Sequence, residues 1–423
     1  MSIERTEFSS GLRVLTDRMP GVRSVTLGIW VGTGSRDEVP RISGSSHFLE
    51  HLLFKGTPSR SALDIAETFD SVGGDLNAFT DREMTCYYAR VLDKDLPMAV
   101  DYMCDMVQNS LLRKPDFESE KQVILEEINV HEDTPDDLIH DFFFETLWPS
   151  HPLGRPVLGT VESINGVSRD AVNRFYRKHY EPSNFVVSVA GNVQHEDLIK
   201  LVRKRMDAGR VRAKGVRPAA ATDGRAAPEP ANLVAVKRRA TEQAHILIGT
   251  NGLSRSDPDR FAFGLVNDAL GGGMSSRLFQ QIREKRGLAY SVYSYHSMFA
   301  ETGLFALYAG TTPRNARQVL ELARQELEDV AQNGVREDEL ERAKGHMRGS
   351  LALSLEGTSS RMSRLGKSEV LHGEVLTVGQ MLKRIESVTF DEAKRVANRV
   401  FAQPGSLAVI GPFKNKDFEG AMD

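Results

Sequence analysis

Residues 162–193 read ESINGVSRDAVNRFYRKHYEPSNFVVSVAGNV, and residues 383–413 repeat the pattern as KRIESVTFDEAKRVANRVFAQPGSLAVIGPF. Each segment runs from a capped helix through a proline turn into a β-rich strand that ends near a glycine. Val167 corresponds to Val388 and Gly191 corresponds to Gly411, which are offsets of 221 and 220 residues. An offset this constant predicts an internal duplication of about 220 residues and therefore two halves with the same fold.

The composition changes most sharply at residues 207–230, which are rich in Ala, Gly, Pro and Arg and show no hydrophobic periodicity. We expect a linker here, between an N-terminal domain at residues 1–206 and a C-terminal domain at residues 231–423. Strand patterns such as TCYYARVL (85–92) and TGLFALYAGT (302–311) are mixed with long helical patterns and do not alternate as regular βαβ units. The sequence therefore predicts two α+β domains, each with a mostly antiparallel sheet packed with helices.

The composition favours a globular chain with ordinary cores, because 40% of its 423 residues are hydrophobic and 26% are charged. With 54 basic and 58 acidic side chains the net charge is −4, so neither nucleic acid nor an anionic membrane is an expected partner. Two cysteines are too few for a disulfide framework and are expected as buried thiols. The N-terminus resembles a hairpin rather than a signal peptide, and no run of ~18 apolar residues follows, so we expect a cytoplasmic location.

Residues 43–59, SGSSHFLEHLLFKGTPS, predict a short helix from about residue 45 to residue 55. Ser43, Ser45 and Ser46 are each possible N-cap residues. Phenylalanine and leucine occupy most of this segment, so the helix is expected to be buried on nearly all sides. Ionisable groups within such a helix must be paired, solvated or bound to an ion before they can be buried.

Three ionisable residues share one side of this helix. At 100° per residue, His47, Glu50 and His51 fall within one arc of 100°. Two histidines four positions apart can direct ring nitrogens at a single ion, and imidazole suits Zn²⁺ better than Mg²⁺ or Ca²⁺. Glu50 would lie beside the open position of the ion, where it could take a proton from water. The alternative is a hydrogen-bonded core network, which would have to provide partners for all three groups at once.

A catalytic zinc site requires a third protein ligand, and residues 114–133, KPDFESEKQVILEEINVHED, contain candidates. A helical wheel places Glu120, Glu127 and His131 within 40° of one another, and Glu126 about 100° away from Glu127. They flank an apolar face formed by Phe117, Ile124 and Ile128. The wheel favours Glu127 over Glu126 but does not decide among the three candidates. An amphipathic helix with a solvated acidic flank is the alternative.

His47, Glu50 and His51, followed by Glu127 at 76 positions after His51, resemble the inverted zinc motif of the pitrilysin family of metallopeptidases. This family includes insulin-degrading enzyme and the β subunit of mitochondrial processing peptidase. The likeness continues through GGDLNAFTDREMTCYYARVL and GGGMSSRLFQQIREKRGLAYSVYSY, so it covers nearly the whole chain. The length of the chain is similar to that of the short bacterial-type branch of the family.

The resemblance implies a role for each residue that matches the family pattern. His47, His51 and Glu127 would be the ligands of one Zn²⁺ per chain, and Glu50 would be the general base. Glu120, two helical turns before Glu127, matches an acidic position that supports the site from behind its ligands. The C-terminal domain has no matching histidine motif, and in the family this second copy has also lost its metal site.

The resemblance also implies residues that contact substrate. Arg283 and Tyr290 match an arginine and a tyrosine that act on the substrate carbonyl in family enzymes. LNAFT, residues 76–80, is similar to the edge strand against which an extended peptide pairs through its backbone, with Asn77 and Ala78 as substrate-binding residues. From the sequence alone, a solvated helix end and an ordinary strand are the alternatives for these two segments.

The function implied by the resemblance is that of a zinc metalloendopeptidase acting inside a clamshell chamber. It would hydrolyse peptide bonds in unfolded peptides or presequences by a zinc-activated water, with Glu50 as general base. Chains of this length in the family pair, so a homodimer with two composite sites is expected, and a heterodimer with an inactive paralogue is the alternative. The competing functions are a non-catalytic scaffold or partner subunit of the same family and, less well matched, a metal-storage or sensor protein.

Overall fold

A computed structural model of the chain describes residues 3–207 and 225–422, which form two compact units. Unit 1 is built from residues within three segments: 1–129, 156–221 and 353–375. Unit 2 is built from residues within the other three segments: 130–155, 222–352 and 376–423. Each unit has its own sheet and its own buried apolar core.

The strands of the first half of the chain are β1 (Ile3–Glu7), β2 (Arg13–Arg18), β3 (Ser24–Val31), β4 (Asp75–Thr80), β5 (Thr85–Leu92) and β6 (Phe185–Gly191). Its helices are α1 (Ser45–Leu53), α2 (Ala62–Ser71), α3 (Leu96–Asn109), α4 (Lys114–Glu132), α5 (Pro135–Leu147), α6 (Val161–Gly166), α7 (Arg169–His179) and α8 (His195–Val202). The predicted N-terminal hairpin is present, because β1 and β2 pair as antiparallel neighbours.

The strands of the second half are β7 (Val234–Arg238), β8 (Ala244–Gly252), β9 (Ala289–Met298), β10 (Gly303–Thr311) and β11 (Ser406–Gly411). Its helices are α9 (Arg260–Gly271), α10 (Ala316–Asn333), α11 (Glu337–Ser354), α12 (Thr358–His372), α13 (Val378–Glu386) and α14 (Phe390–Phe401).

Both sheets are mostly antiparallel. The sheet of unit 1 has the order β1-β2-β6-β3-β5-β4, and only β2 and β6 pair in parallel. The sheet of unit 2 has the order β7-β11-β8-β10-β9, and only β7 and β11 pair in parallel. The predicted α+β class is therefore confirmed.

The duplicated sequence pattern forms the same substructure in each half. Residues 162–193 contain α7 and β6, and residues 383–413 contain α14 and β11. The hydroxyl of Ser168 accepts the backbone N–H of Ala171 in α7, and the hydroxyl of Thr389 accepts the backbone N–H of Glu392 in α14. β6 lies between β2 and β3 as β11 lies between β7 and β8, with the same parallel and antiparallel senses. The predicted similarity of the two halves is confirmed.

The two halves exchange one helix each. α12 comes from the second half of the chain but packs on β2, β3 and β6 of unit 1, whereas α5 comes from the first half and packs on β8 and β11 of unit 2. The cluster beneath α12 consists of Leu15, Trp30, Met84, Cys86, Val186, Ala190, Met362, Leu365 and Val370. The compact units therefore do not follow the predicted boundaries 1–206 and 231–423, because each sheet buries an apolar face under a helix from the other half.

The predicted linker at residues 207–230 lies mostly outside the described residues, so its role stays a prediction. Cys86 and Cys104 are both free and buried, as expected. Within residues 3–207 and 225–422, every helix is too short or too polar to span a membrane.

Gly366 on α12 allows the exchanged helix to approach Trp30 closely. A Cβ atom at position 366 would overlap the Trp30 indole, which is fully buried and donates its Nε1 hydrogen to Ser188 Oγ over 2.8 Å. We expect Gly366→Ala to lower the free energy of unfolding by about 1–3 kcal/mol in a urea titration, because the core has no room for the methyl group.

The matched control is Gly345→Ala on α11, where an added Cβ would have no atom within 4 Å. This control should be neutral or more stable by up to about 1 kcal/mol, since alanine favours helix. If both variants were equally stable, the close packing of α12 on unit 1 would be wrong.

Candidate metal centre

The N-terminus of α1 is fixed by a carboxylate from outside the helix. Gly44 is the N-cap residue, with a φ of 90°, and no side chain caps the helix locally. The Glu38 carboxylate accepts the backbone N–H groups of Gly44 and Ser46 over 2.7 and 2.6 Å. A Cβ at position 44 would lie 2.6 Å from the carbonyl oxygen of Leu158. The predicted serine caps are therefore wrong, because a buried glutamate performs this function and the crowded, left-handed position requires glycine.

α1 and α4 pack through their apolar faces. The phenyl rings of Phe48 and Phe117 stack with centroids 4.5 Å apart. The predicted inward face of α4 is buried, and so are four apolar residues of α1: Phe48, Leu49, Leu52 and Leu53. This packing fixes the rotation of both helices, so that the acidic side of α4 faces the histidines of α1.

The structure brings His47, His51 and Glu127 together. The Nε2 atoms of His47 and His51 each lie 3.5 Å from Oε2 of Glu127. Ligands held at about 2.1 Å in a tetrahedral zinc site lie about 3.4 Å from one another. Among the described residues, these three form the only cluster of three or more His, Cys, Asp or Glu side chains with ligand atoms within 4.8 Å of one another.

The carboxylate oxygen of this cluster has no hydrogen-bond partner. Oε2 of Glu127 is buried without a hydrogen bond, although the Glu127 side chain as a whole is 41% exposed. Burial, and next the neighbouring His51, lower the pKa of His47 to about 3, so its imidazole is neutral and keeps a lone pair. Lone pairs that face one another without a proton repel, and a cation between them removes that repulsion. The three residues therefore fit a zinc ion.

Glu120 contacts the ring nitrogen of His51 that does not face Glu127. Oε2 of Glu120 lies 3.1 Å from Nδ1 of His51, which suits donation from Nδ1–H and leaves Nε2 as the free donor atom facing Glu127. Oε1 of Glu120 forms a 2.7 Å ion pair with Nζ of Lys55. The Glu120 residue is only 5% exposed, so this pair compensates a charge that would otherwise be buried alone.

Glu50 lies next to the two histidines and is held by a residue from the sheet. The Thr80 hydroxyl donates to Oε2 of Glu50 over 2.6 Å. Burial raises the pKa of Glu50, while the hydrogen bond from Thr80 and the neighbouring His51 lower it. A carboxylate with one oxygen fixed and a raised proton affinity is suited to general-base chemistry.

His131 does not join the cluster. His131 and Asp141 both belong to unit 2. Nε2 of His131 lies 3.3 Å from Oδ2 of Asp141, and the hydrogen bond to Asp141 raises the pKa of His131. Of the three candidates that the helical wheel left open, only Glu127 approaches both histidines.

Asn77 and Ala78 lie on β4, which is the last strand of the unit 1 sheet as described and pairs only with β5. The predicted edge strand is present. Asn77 is exposed and Ala78 is half-buried, and the backbone N–H of Ala78 lies 2.8 Å from Oδ1 of Asn77. Their role in substrate binding stays a prediction.

Arg283 and Tyr290 lie together in unit 2. The Arg283 guanidinium is stacked 4.9 Å from the centroid of the Tyr290 ring and 4.8 Å from that of Phe279. Tyr290 is 78% exposed. The pair is thus mutually supported and open to ligands, and its predicted action on a substrate carbonyl stays a prediction.

The second half has a different pair where the first has its metal cluster. Asp268 on α9 follows His47 by 221 residues, and His346 on α11 follows Glu127 by 219 residues. Nδ1 of His346 lies 2.7 Å from Oδ1 of Asp268, which is a hydrogen-bond distance and shorter than the spacing of two zinc ligands. In the second half, these two positions are therefore joined by a direct hydrogen bond.

Two family models match this chain, one in each half. The family model described as insulinase, peptidase family M16, matches residues 13–161, and the model described as the peptidase M16 inactive domain matches residues 166–347. The chain belongs to peptidase family M16. This confirms the pitrilysin-family resemblance, since the M16 family is that family.

Curated M16 relatives match over nearly their whole length. An uncharacterized zinc protease of Streptomyces coelicolor is 51% identical over 98% of this chain and 91% of its own. The uncharacterized zinc protease YmxG of Bacillus subtilis is 41% identical over 98% of this chain and 99% of its own.

Two solved structures share the M16 fold of this chain at 21% identity. A protease from Helicobacter pylori has a TM-score of 0.89 and covers 97% of this chain and 99% of its own. A Pseudomonas fluorescens protein described as a peptidase M16 inactive domain has a TM-score of 0.87 and covers 98% of each chain. At this level of identity the likeness shows the fold alone.

Glu120 offers a direct test of support for the metal ligands. We expect Glu120→Gln to weaken zinc binding by roughly 10- to 100-fold in a competition titration with a fluorescent chelator. The amide keeps the shape but loses the charge that pairs with Lys55 and polarises His51. Glu126→Gln is the matched control, because Glu126 is exposed on the same helix. Equal affinity in both variants would contradict the role of Glu120.

Sequence reasoning missed three residues that shape this site: Glu38, Lys55 and Thr80. Each of them contacts a residue in another part of the chain. Hydrophobic periodicity relates residues within one helix or strand, so it does not predict such contacts. Glu38 had a weak signal as an acid shortly before a glycine-serine helix start. We find no sequence pattern that would have selected Thr80 from the other threonines.

Proposed function

We propose that this M16 protein is a zinc-dependent endopeptidase that hydrolyses unfolded peptides. The observation that carries the proposal is the cluster of His47, His51 and Glu127, whose donor atoms face one another at 3.5 Å with Glu50 beside them. His47, His51 and Glu127 would hold one Zn²⁺. Bound there, zinc would supply Lewis-acid chemistry, which activates water and polarises a carbonyl group.

Glu50 carries the proton in the proposed reaction. Its carboxylate accepts a proton from the attacking water and later delivers it to the nitrogen of the leaving amine, so no covalent enzyme intermediate forms. Glu120 and Lys55 keep the His51 ring in one orientation throughout. The ionised Glu50 is regenerated when the proton leaves with the product.

The edge strand β4 is proposed to hold the substrate backbone. An extended peptide can add to the free edge of β4 beside Asn77 and Ala78, with backbone hydrogen bonds that do not depend on the peptide sequence. A folded protein cannot supply such an extended segment. Unfolded peptides or presequences are therefore the proposed substrates.

Arg283 and Tyr290 are proposed to stabilise the substrate carbonyl as negative charge develops on it. We further propose that two chains pair, with each supplying this arginine and tyrosine to a composite site. Light scattering tests the pairing, because it should give twice the mass of one chain.

The test of the function is cleavage of a quenched, unstructured peptide that contains basic residues. We expect cleavage by the purified protein, loss of cleavage after treatment with a chelator, and recovery when zinc is added back. A folded protein that contains the same peptide sequence should resist. Absence of cleavage by protein that holds one zinc per chain would favour a scaffold or a missing partner subunit.

A further inference from the structure

A short hydrogen bond joins the edge strand to the helix of the metal centre. The Thr80 hydroxyl donates to Oε2 of Glu50 over 2.6 Å, which is within the range of strong bonds between a hydroxyl and an ionised oxygen. In the described part of the chain, Thr80 is the one side chain that donates to this carboxylate. The orientation of Glu50 therefore depends on Thr80.

Thr80 itself is fixed by the sheet and not by α1. It is the last residue of β4 and pairs with Thr85 of β5. The next backbone N–H, that of Asp81, donates to the carbonyl oxygen of Met84 over 2.8 Å and closes the hairpin. The hydroxyl is thus presented from the end of a hydrogen-bonded hairpin.

Glu50 needs such a support because its side chain has three rotatable bonds. Only some of its rotamers direct an oxygen towards the histidine cluster, and a misplacement of about 1 Å can cost roughly 100-fold in rate. The bond from Thr80 occupies Oε2 and leaves Oε1 as the oxygen available to a water molecule.

We propose that Thr80 is a positioning residue, whose hydroxyl holds the Glu50 carboxylate in its working orientation and couples the peptide-binding strand to the general base. This inference rests on the proposed peptidase function. It adds that β4, the proposed peptide-binding strand, also sets the position of the Glu50 carboxylate. Disturbing the hydroxyl should then reduce turnover without reducing peptide or zinc binding.

The test compares Thr80→Val and Thr80→Ser with the control Thr68→Val. Valine keeps the branched shape that suits a strand but lacks the hydroxyl, and serine keeps the hydroxyl. Thr68 on α2 is half-buried like Thr80, and its hydroxyl donates to the Tyr102 hydroxyl over 3.0 Å, away from Glu50. The readouts are kcat, KM and zinc content with the quenched peptide.

We expect Thr80→Val to lower kcat by roughly 10- to 100-fold, with KM within about twofold and one zinc per chain retained. Thr80→Ser and Thr68→Val should stay within about threefold of wild type in kcat. Thr80→Ala repeats the test without a branched side chain.

An unchanged kcat in Thr80→Val and Thr80→Ala would overturn the inference. Loss of zinc from Thr80→Val would also overturn it, and so would a fall of kcat in Thr80→Ser as large as that in Thr80→Val. These outcomes leave the peptidase function intact, because wild type would still cleave the peptide. A wild-type protein that holds zinc and does not cleave would instead overturn the function and the inference together.

Discussion

Glu50→Gln is expected to retain the fold and one zinc per chain and to lose peptide cleavage by roughly 10²- to 10⁴-fold. The amide is nearly the same size as the carboxylate, and its carbonyl oxygen can still accept the hydrogen bond from Thr80. It cannot accept a proton from water. The effect should therefore appear in kcat, with KM nearly unchanged, in a steady-state assay with the quenched peptide.

The control for this variant is Glu126→Gln, which removes the same charge from an exposed position on α4 and should cleave at the wild-type rate. Measuring the zinc content of the wild type, Glu50→Gln and Glu126→Gln shows whether a loss of cleavage comes from the missing general base or from missing zinc. A Glu50→Gln rate within a few-fold of wild type would show that another group takes the proton.

Residues 1–206 expressed alone are expected not to fold. Without α12, the cluster beneath it loses Met362, Leu365 and Val370, so the buried Trp30 would face water. The same fragment also keeps α5, whose apolar face has its partners in unit 2. Exposed apolar surface of this kind leads to aggregation rather than to a stable domain.

Circular dichroism and thermal unfolding of the purified fragment test this expectation. Co-expression of residues 1–206 with residues 207–423 should recover a folded complex, because each fragment then regains its exchanged helix. A fragment of residues 1–206 that unfolds cooperatively by itself would show that α12 is dispensable to unit 1.

The site could be predicted well where its residues follow a local period. The positions of His47, Glu50 and His51 on one side of α1 follow from 3.6 residues per turn, and so does the inward face of α4. The choice of Glu127 could not be made from the wheel, because Glu120 lies at nearly the same angle. It depends on how far along α4 each glutamate lies relative to α1: the packed structure places Glu127 against both histidines and Glu120 against Nδ1 of His51.

The exchange of helices illustrates the same limit at the level of the fold. The sequence predicted two similar halves, because duplication leaves a constant offset, and the two sheets have matching strand orders apart from the additional strand β1. An amphipathic pattern shows that one face of a helix is buried but not which sheet covers it. α5 and α12 each pack on the sheet of the other half. No feature within either helix distinguishes this arrangement from packing on the sheet of its own half.

Zinc titration of chelator-stripped protein, with peptide cleavage as the readout, tests the central claim most directly. If His47, His51 and Glu127 hold a single catalytic ion, cleavage should rise linearly with added zinc and reach its plateau at one equivalent per chain. Full cleavage by the metal-free protein, or zinc bound at one equivalent with no cleavage, would contradict the claim.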